Sequence, residues 1–108
     1  MKKKNDENKY FQKVIVNNID NIITINNKYK NKGYNIFLTG NYLEVYYCGI
    51  KYSIKIIKKD NQLYWRLSPY NNAYFETKIN NELSSLDMVM FAIYENETIH
   101  ERKEKKWT

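Results

Sequence analysis

Residues 34–68 read YNIFLTGNYLEVYYCGIKYSIKIIKKDNQLYWRLS, and the period of that stretch decides the fold. Tyr34, Ile36 and Leu38 alternate with Asn35, Phe37 and Thr39; Leu43, Val45 and Tyr47 alternate with Tyr42, Glu44 and Tyr46. Ile50, Tyr52, Ile54 and Ile56 alternate with Lys51, Ser53 and Lys55, and Leu63, Trp65 and Leu67 with Tyr64, Arg66 and Ser68. A period of two marks a pleated strand whose faces meet different surroundings. Gly40 with Asn41, Cys48 with Gly49, and Lys59 to Asn61 supply turn chemistry between the segments. Strands joined by turns this short predict an antiparallel meander. Pro69, with no N–H to give to a ladder, is expected to end the fourth strand.

Alternation also sorts the side chains. With the aliphatic set as core, the other face carries Phe37, Tyr42, Tyr46, Lys51, Lys55, Tyr64 and Arg66. Aromatic and basic dressing makes that face the candidate contact surface. Codon drift is the competing account, because Asn, Lys, Ile and Tyr are all encoded by A/T-rich codons. Tyrosine also favours strands for packing reasons alone.

Upstream, Asp6 to Lys32 holds neither Gly nor Pro, and Phe11, Val14, Ile15, Ile19, Ile22, Ile25 and Tyr29 recur at three- and four-residue spacing. That pattern predicts one long helix of about 40 Å, with Gly33 as its C-cap and a break possible at Asn17 and Asn18, beside β-branched clusters. Val16 and Ile23 lie beside the main stripe and widen the apolar face, which marks them as a dimer or partner face. Downstream, Phe75, Thr77 and Ile79 against Tyr74, Glu76 and Lys78 suggest a fifth, edge strand after the Asn71–Asn72 loop. Ser84 or Ser85 is the expected N-cap of a second helix bearing Leu86, Val89, Met90 and Ile93, with Asp87 in its first turn.

The fold class expected is therefore α+β: an N-terminal long helix, a four- to five-stranded antiparallel meander and a C-terminal helix, both helices on one sheet face. The expected core is Phe11, Ile15, Ile19, Ile22, Ile36, Leu38, Leu43, Val45, Ile54, Ile56, Leu63, Trp65, Leu67, Leu86, Met90 and Ile93. A chain of 108 residues fits one domain, with residues 1–5 and 101–108 expected as frayed tails and the second helix expected to stop near His100.

Formal net charge is +6, and the pI is about 9.3, which favours anionic partners. Arginine, the better reader of phosphate and base edges, is present only at Arg66 and Arg102. Cys48 is the only cysteine, so the fold relies on its core rather than a disulfide. The basic opening Lys2–Lys4 has no apolar segment behind it, and no apolar run reaches spanning length. A cytoplasmic location, in a bacterium or in the host cell of a mobile element, is the expectation, with no membrane partner.

Catalytic signals are sparse. His100 is the sole histidine, Cys48 sits in a turn with no base near it in sequence, and Asp6, Asp20, Asp60 and Asp87 are scattered. Gly33, Gly40 and Gly49 are too far apart for a phosphate loop. No cofactor, no metal and no enzymatic activity are expected. The leading expectation is a small non-catalytic protein that binds another protein. Its specific form is a phage or mobile-element inhibitor of a host defence complex such as a CRISPR effector, a class that small chains from A/T-rich genomes often fill. Single-stranded nucleic acid is the alternative partner, with Phe37, Tyr42, Tyr46 and Tyr64 stacking on bases and Lys51, Lys55 and Arg66 on phosphates. Homodimerisation is compatible with either.

Overall fold

The period-two segments become strands β1 (Asn35–Leu38), β2 (Leu43–Tyr47), β3 (Ile50–Lys59) and β4 (Gln62–Tyr70), and the following segment adds β5 (Ala73–Lys78). In this computed structural model, which describes residues 11–40 and 42–106 and the side chains as far as Ile99, they form one antiparallel sheet in the order β1-β2-β3-β4-β5. Every strand pairs only with its neighbours in sequence, as a meander does. The readings made for residues 1–10, for Asn41, for residues 107–108 and for the His100 side chain lie outside the described residues.

Three hairpins close on two residues each, with positive φ at both: 52 and 77° at Cys48 and Gly49, 51 and 63° at Asp60 and Asn61, 45 and 67° at Asn71 and Asn72. Such turns match the right-handed twist of the flanking strands, and Asn, Asp and Gly reach positive φ most readily. They set the register and hence which side chains share a face. Pro69 does not end β4. The strand runs on to Tyr70 through a register shift after Leu67, with Ser68–Pro69 in cis; an irregular ladder asks nothing of the missing N–H.

The long N-terminal helix is in fact two, α1 (11–17) and α2 (Ile19–Lys30), separated at Asn18. Asn18 is fully buried, and its amide nitrogen donates to the Val14 carbonyl at 2.9 Å and to Asn81 Oδ1 at 3.0 Å. Its own Oδ1 accepts from Asn21 Nδ2 at 3.0 Å. A short amide that serves backbone and a distant loop at once competes with continuous helix. The break therefore comes from a tertiary contact.

The C-terminal helix α3 (Leu83–Lys106) starts before Ser84 and runs past His100. Neither expected serine is its N-cap. Ser85 lies inside the first turn and accepts the indole N–H of Trp65 at 3.2 Å, while Asn80 Oδ1 takes the Glu82 N–H at 2.9 Å. Asp87 ties α3 to α2, accepting from Lys28 Nζ at 3.0 Å and from the Tyr29 hydroxyl at 2.9 Å. Burial, then that hydrogen bond, pushes the Tyr29 hydroxyl up to about 12.

One buried cluster joins Val14 and Ile25 with Leu43, Val45, Tyr52, Ile54, Trp65 and Leu67 and with Leu86, Val89, Met90 and Ile93. Burial of such side chains stabilises by roughly 1.5–3 kcal/mol each. Two expected core members are exposed, Ile19 at 42% and Leu38 at 53%, and Ile22, Ile36, Ile56 and Leu63 are half-buried against the cluster. Leu38 ends an edge strand that no other described strand pairs on its free side, and Ile19 lies on a flank of α2 that no described element covers. Tyr34 and Tyr52 take buried places instead, Tyr52 with its hydroxyl accepting from Asn96 Nδ2 at 3.0 Å.

Candidate functional site

The outward positions of the sheet are those that alternate with the buried cluster, and the hairpin registers align them in cross-strand rows. Phe37, Glu44, Ser53 and Ser68 form one row; Asn35, Tyr46 and Lys51 the next. Towards the other edge, Lys55, Arg66 and Glu76 stand side by side, followed by Ile57, Tyr64 and Lys78. All seven residues read from the sequence as a contact face thus lie on one side, but in two groups. Phe37, Tyr46 and Lys51 sit on β1 to β3, with Tyr42 just ahead of β2, whereas Tyr64 and Arg66 sit on β4, about 14 Å from β1 at ~4.8 Å per strand. Lys55 is between them.

Electrostatics separate the groups. At the β4–β5 side, Arg66 gives both Nε and Nη2 to Glu76 Oε2, at 2.7 and 2.6 Å, and its guanidinium lies 4.1 Å from the centre of the Tyr74 ring. Lys59 reaches the other carboxylate oxygen at 2.6 Å and stands 4.9 Å over the Tyr64 ring. Desolvation alone would raise the Glu76 carboxyl; the hydrogen bonds from Lys59 and Arg66, together with their charges, outweigh it and hold the group below the usual carboxylate range. The hydrogen bond to Glu76 correspondingly raises the Lys59 ammonium. Two cations and two aromatic faces are thereby occupied within the protein.

Next to β1, Lys51 Nζ pairs with Glu44 Oε1 at 2.9 Å, and that hydrogen bond raises the Lys51 ammonium. The Tyr42 hydroxyl also donates to Glu44, at 3.4 Å. Phe37 and Tyr46 are left to solvent, 52% and 38% exposed, packed edge to face with ring centres 5.7 Å apart. With Asn35, Leu38, Thr39 and Glu44 they line an open groove of about 690 Å³. Edge-to-face aromatic pairs are held by their own quadrupoles and present a stiff apolar surface.

Glu44 and Glu76 are the residues that reading for aromatics and cations passed over. The signal was available: each alternates with core positions on the same side as the lysines it neutralises. Elsewhere, Val16 of α1 and Ile23 of α2 remain 71% and 52% exposed, Ile23 on the flank of α2 opposite the one that meets α3. Met88, Phe91 and Tyr94 form a further exposed ridge on α3. Among the described residues no group of three His, Cys, Asp or Glu side chains is placed to hold a metal ion, and no helix is long and apolar enough to cross a membrane. Cys48 is exposed at its hairpin tip.

Comparison of the chain with protein-family models, curated proteins and solved structures finds no match. Its functional reading rests on its own residues.

Proposed function

We propose that the protein is a non-catalytic binding protein that contacts another protein through the Phe37–Tyr46 end of its outward sheet face. The observation that carries this reading is the internal neutralisation of that face: Lys51 is held by Glu44, and Arg66 and Lys59 by Glu76. A nucleic-acid surface needs cations free to displace counterions from phosphate, and it needs bare aromatic faces on which bases stack. Here the Tyr64 and Tyr74 rings already carry Lys59 and Arg66. At the β1 end the accessible remainder is an aromatic pair beside a groove rimmed by Glu44 and Asn35, apart from Lys55 and Lys78, which stay exposed on β3 and β5, and that end suits the apolar anchor of a protein partner. The inhibitor reading, with a host defence complex such as a CRISPR effector as target, is the most specific form of this proposal and draws on chain size and codon composition.

Affinity capture from a low-GC bacterial lysate supplemented with purified candidate effectors tests it. The wild-type chain is expected to retain a stoichiometric protein partner that the Phe37→Ala/Tyr46→Ala variant loses. Recovery of no partner, or of one retained equally by the variant, would overturn the proposal. Nuclease-sensitive recovery of oligonucleotide in its place would favour the nucleic-acid alternative.

A further inference from the structure

Strand β1 is an edge, and nothing in its four residues Asn35-Ile36-Phe37-Leu38 guards it. Edge strands are ordinarily blunted by charge, proline or a bulge. The opposite edge follows that rule, with Glu76 and Lys78 on β5. By contrast β1 has no charged residue or proline, pairs with β2 without a register shift, and exposes apolar side chains on both faces, Phe37 outward and Leu38 on the core side.

The hydrogen-bond phase of β1 says what this edge can accept. Thr39 donates its N–H to the Tyr42 carbonyl at 2.9 Å, and in the same register Phe37 faces Glu44 and Asn35 faces Tyr46. Antiparallel pairs alternate between bonded and non-bonded, so Thr39, Phe37 and Asn35 are the bonded positions towards β2. The N–H and C=O groups of Ile36 and Leu38 therefore point out of the sheet, away from β2.

We infer that the free edge of β1 pairs antiparallel with β1 of a second copy of this chain, with Phe37 on the two-fold axis. In that register Ile36 of each copy faces Leu38 of the other, and the outward-pointing groups meet in four N–H···O=C bonds. Phe37 faces its own counterpart on the outward side, and Asn35 faces Thr39. Side chains directly opposite in an antiparallel pair share a face, so the Ile36–Leu38 contacts extend the buried side of the sheet and the two Phe37 rings meet on the open side. The neighbouring register, centred on Ile36, would set Tyr34 against Leu38, but the Tyr34 N–H is already given to the Tyr29 carbonyl at 3.3 Å. The strand is thus self-complementary in one phase, as a two-fold interface requires.

The helix beside β1 supplies a second, independent observation. Asn21 and Lys28 of α2 reach the Asn81 carbonyl and Asp87, on and just before α3, while Ile22 and Ile25 line the core against Ile36 and Leu43. At about 100° per residue, Ile19 and Ile23 then project from the flank opposite α3. Since α3 packs on β4 and β5 and α2 on β1, that flank overhangs the free edge. A two-fold axis through Phe37 brings it against the same flank of the partner, covering Ile19, Ile23 and Leu38 together. The dimer would also place the two Phe37–Tyr46 pairs side by side on one ten-stranded sheet. It does not depend on the identity of any other partner.

Sedimentation of the chain over a concentration series tests the inference, with disulfide trapping to read the register. A species of twice the 13.2 kDa chain mass is expected. Phe37→Lys, which places like charges opposite each other at the axis, should raise the dimer dissociation constant by at least about tenfold with circular dichroism unchanged. In a Cys48→Ser background, Phe37→Cys should cross-link on oxidation, because a non-bonded antiparallel pair sets Cα atoms about 4.5 Å apart, within disulfide reach. Asn35→Cys, facing Thr39 of the other copy, should not. A chain that stays monomeric throughout, a dimer indifferent to Phe37→Lys, or equal cross-linking at Asn35→Cys would each overturn the inference. So would a monomer whose Phe37→Lys variant loses a different protein, since the edge would then serve that protein.

Discussion

Removing Glu44 and Glu76 should raise the affinity of the outward sheet face for nucleic acid. The two carboxylates hold three cations: Glu44 pairs with Lys51 at 2.9 Å, and Glu76 takes Lys59 and Arg66 at 2.6 Å each. In Glu44→Gln/Glu76→Gln the side chains keep their shape and lose their charge. Each released cation can then displace one counterion from a single strand, contributing about 0.7 to the log–log salt slope, so three give a slope steeper by about 2. Over a fourfold change in salt this amounts to roughly a sixteenfold change in affinity. The variant should stay folded, because each glutamine keeps the shape of the carboxylate it replaces and still accepts a hydrogen bond from the neighbouring cation. Fluorescence anisotropy with mixed-sequence oligonucleotides at several salt concentrations reads both quantities. The neutralisation reading fails if the wild-type chain already binds with a slope near 2 and the double variant matches it.

Other perturbations follow from the same contacts. Ser85→Ala leaves the buried Trp65 indole N–H without its acceptor and should destabilise by about 1–3 kcal/mol in urea titration. Asn18→Ala removes three hydrogen bonds, about 1 kcal/mol each, but gains about 0.5 kcal/mol of helix propensity. A net loss near 2 kcal/mol is expected, and a stabilised variant would show that the break between α1 and α2 does not depend on Asn18. The Glu76 carboxyl titrates lower in the folded than in the unfolded chain, so its contribution is present above the ordinary carboxylate range and lost as pH falls through the folded value; Glu76→Gln should flatten that acid limb of the urea midpoint against pH. Arg66→Ala should lower stability while leaving partner capture intact, whereas Phe37→Ala should weaken capture with the circular dichroism spectrum unchanged.

Strand content was legible because it was local. Period-two alternation and Asn, Asp and Gly at the hairpin tips specify β2, β3 and most of β4, and the turn residues adopt the positive φ that their chemistry permits. What escaped was non-local. The β-branched clusters beside Asn17 and Asn18 did allow a break there, but nothing within three residues of Asn18 announces that its amide will meet Asn81, sixty-three positions away. Ser84 and Ser85 carry a capping signal, yet Ser85 is taken up by Trp65. Pro69 is a strand terminator by propensity and is absorbed by a register shift that only the pairing with β5 reveals.

The outward sheet face shows the same division at the level of chemistry. Its residues were assigned to one side correctly because alternation is a backbone property, but their roles depend on cross-strand neighbours, and register fixes those. Arg66 and Phe37 look equally suited to recognition when read along the chain. Register sets Arg66 across from Glu76 and beneath no partner but the protein itself, its guanidinium committed to a carboxylate and a ring. It sets Phe37 across from Glu44 on a strand that is an edge among the described residues, its ring packed edge to face on Tyr46. A net charge of +6 is therefore a poor guide to what this face meets. Where the acids fall in the ladder sets which cations of this face are paired: two glutamates take up Lys51, Lys59 and Arg66, and at the β1 end the Phe37 and Tyr46 rings are left exposed.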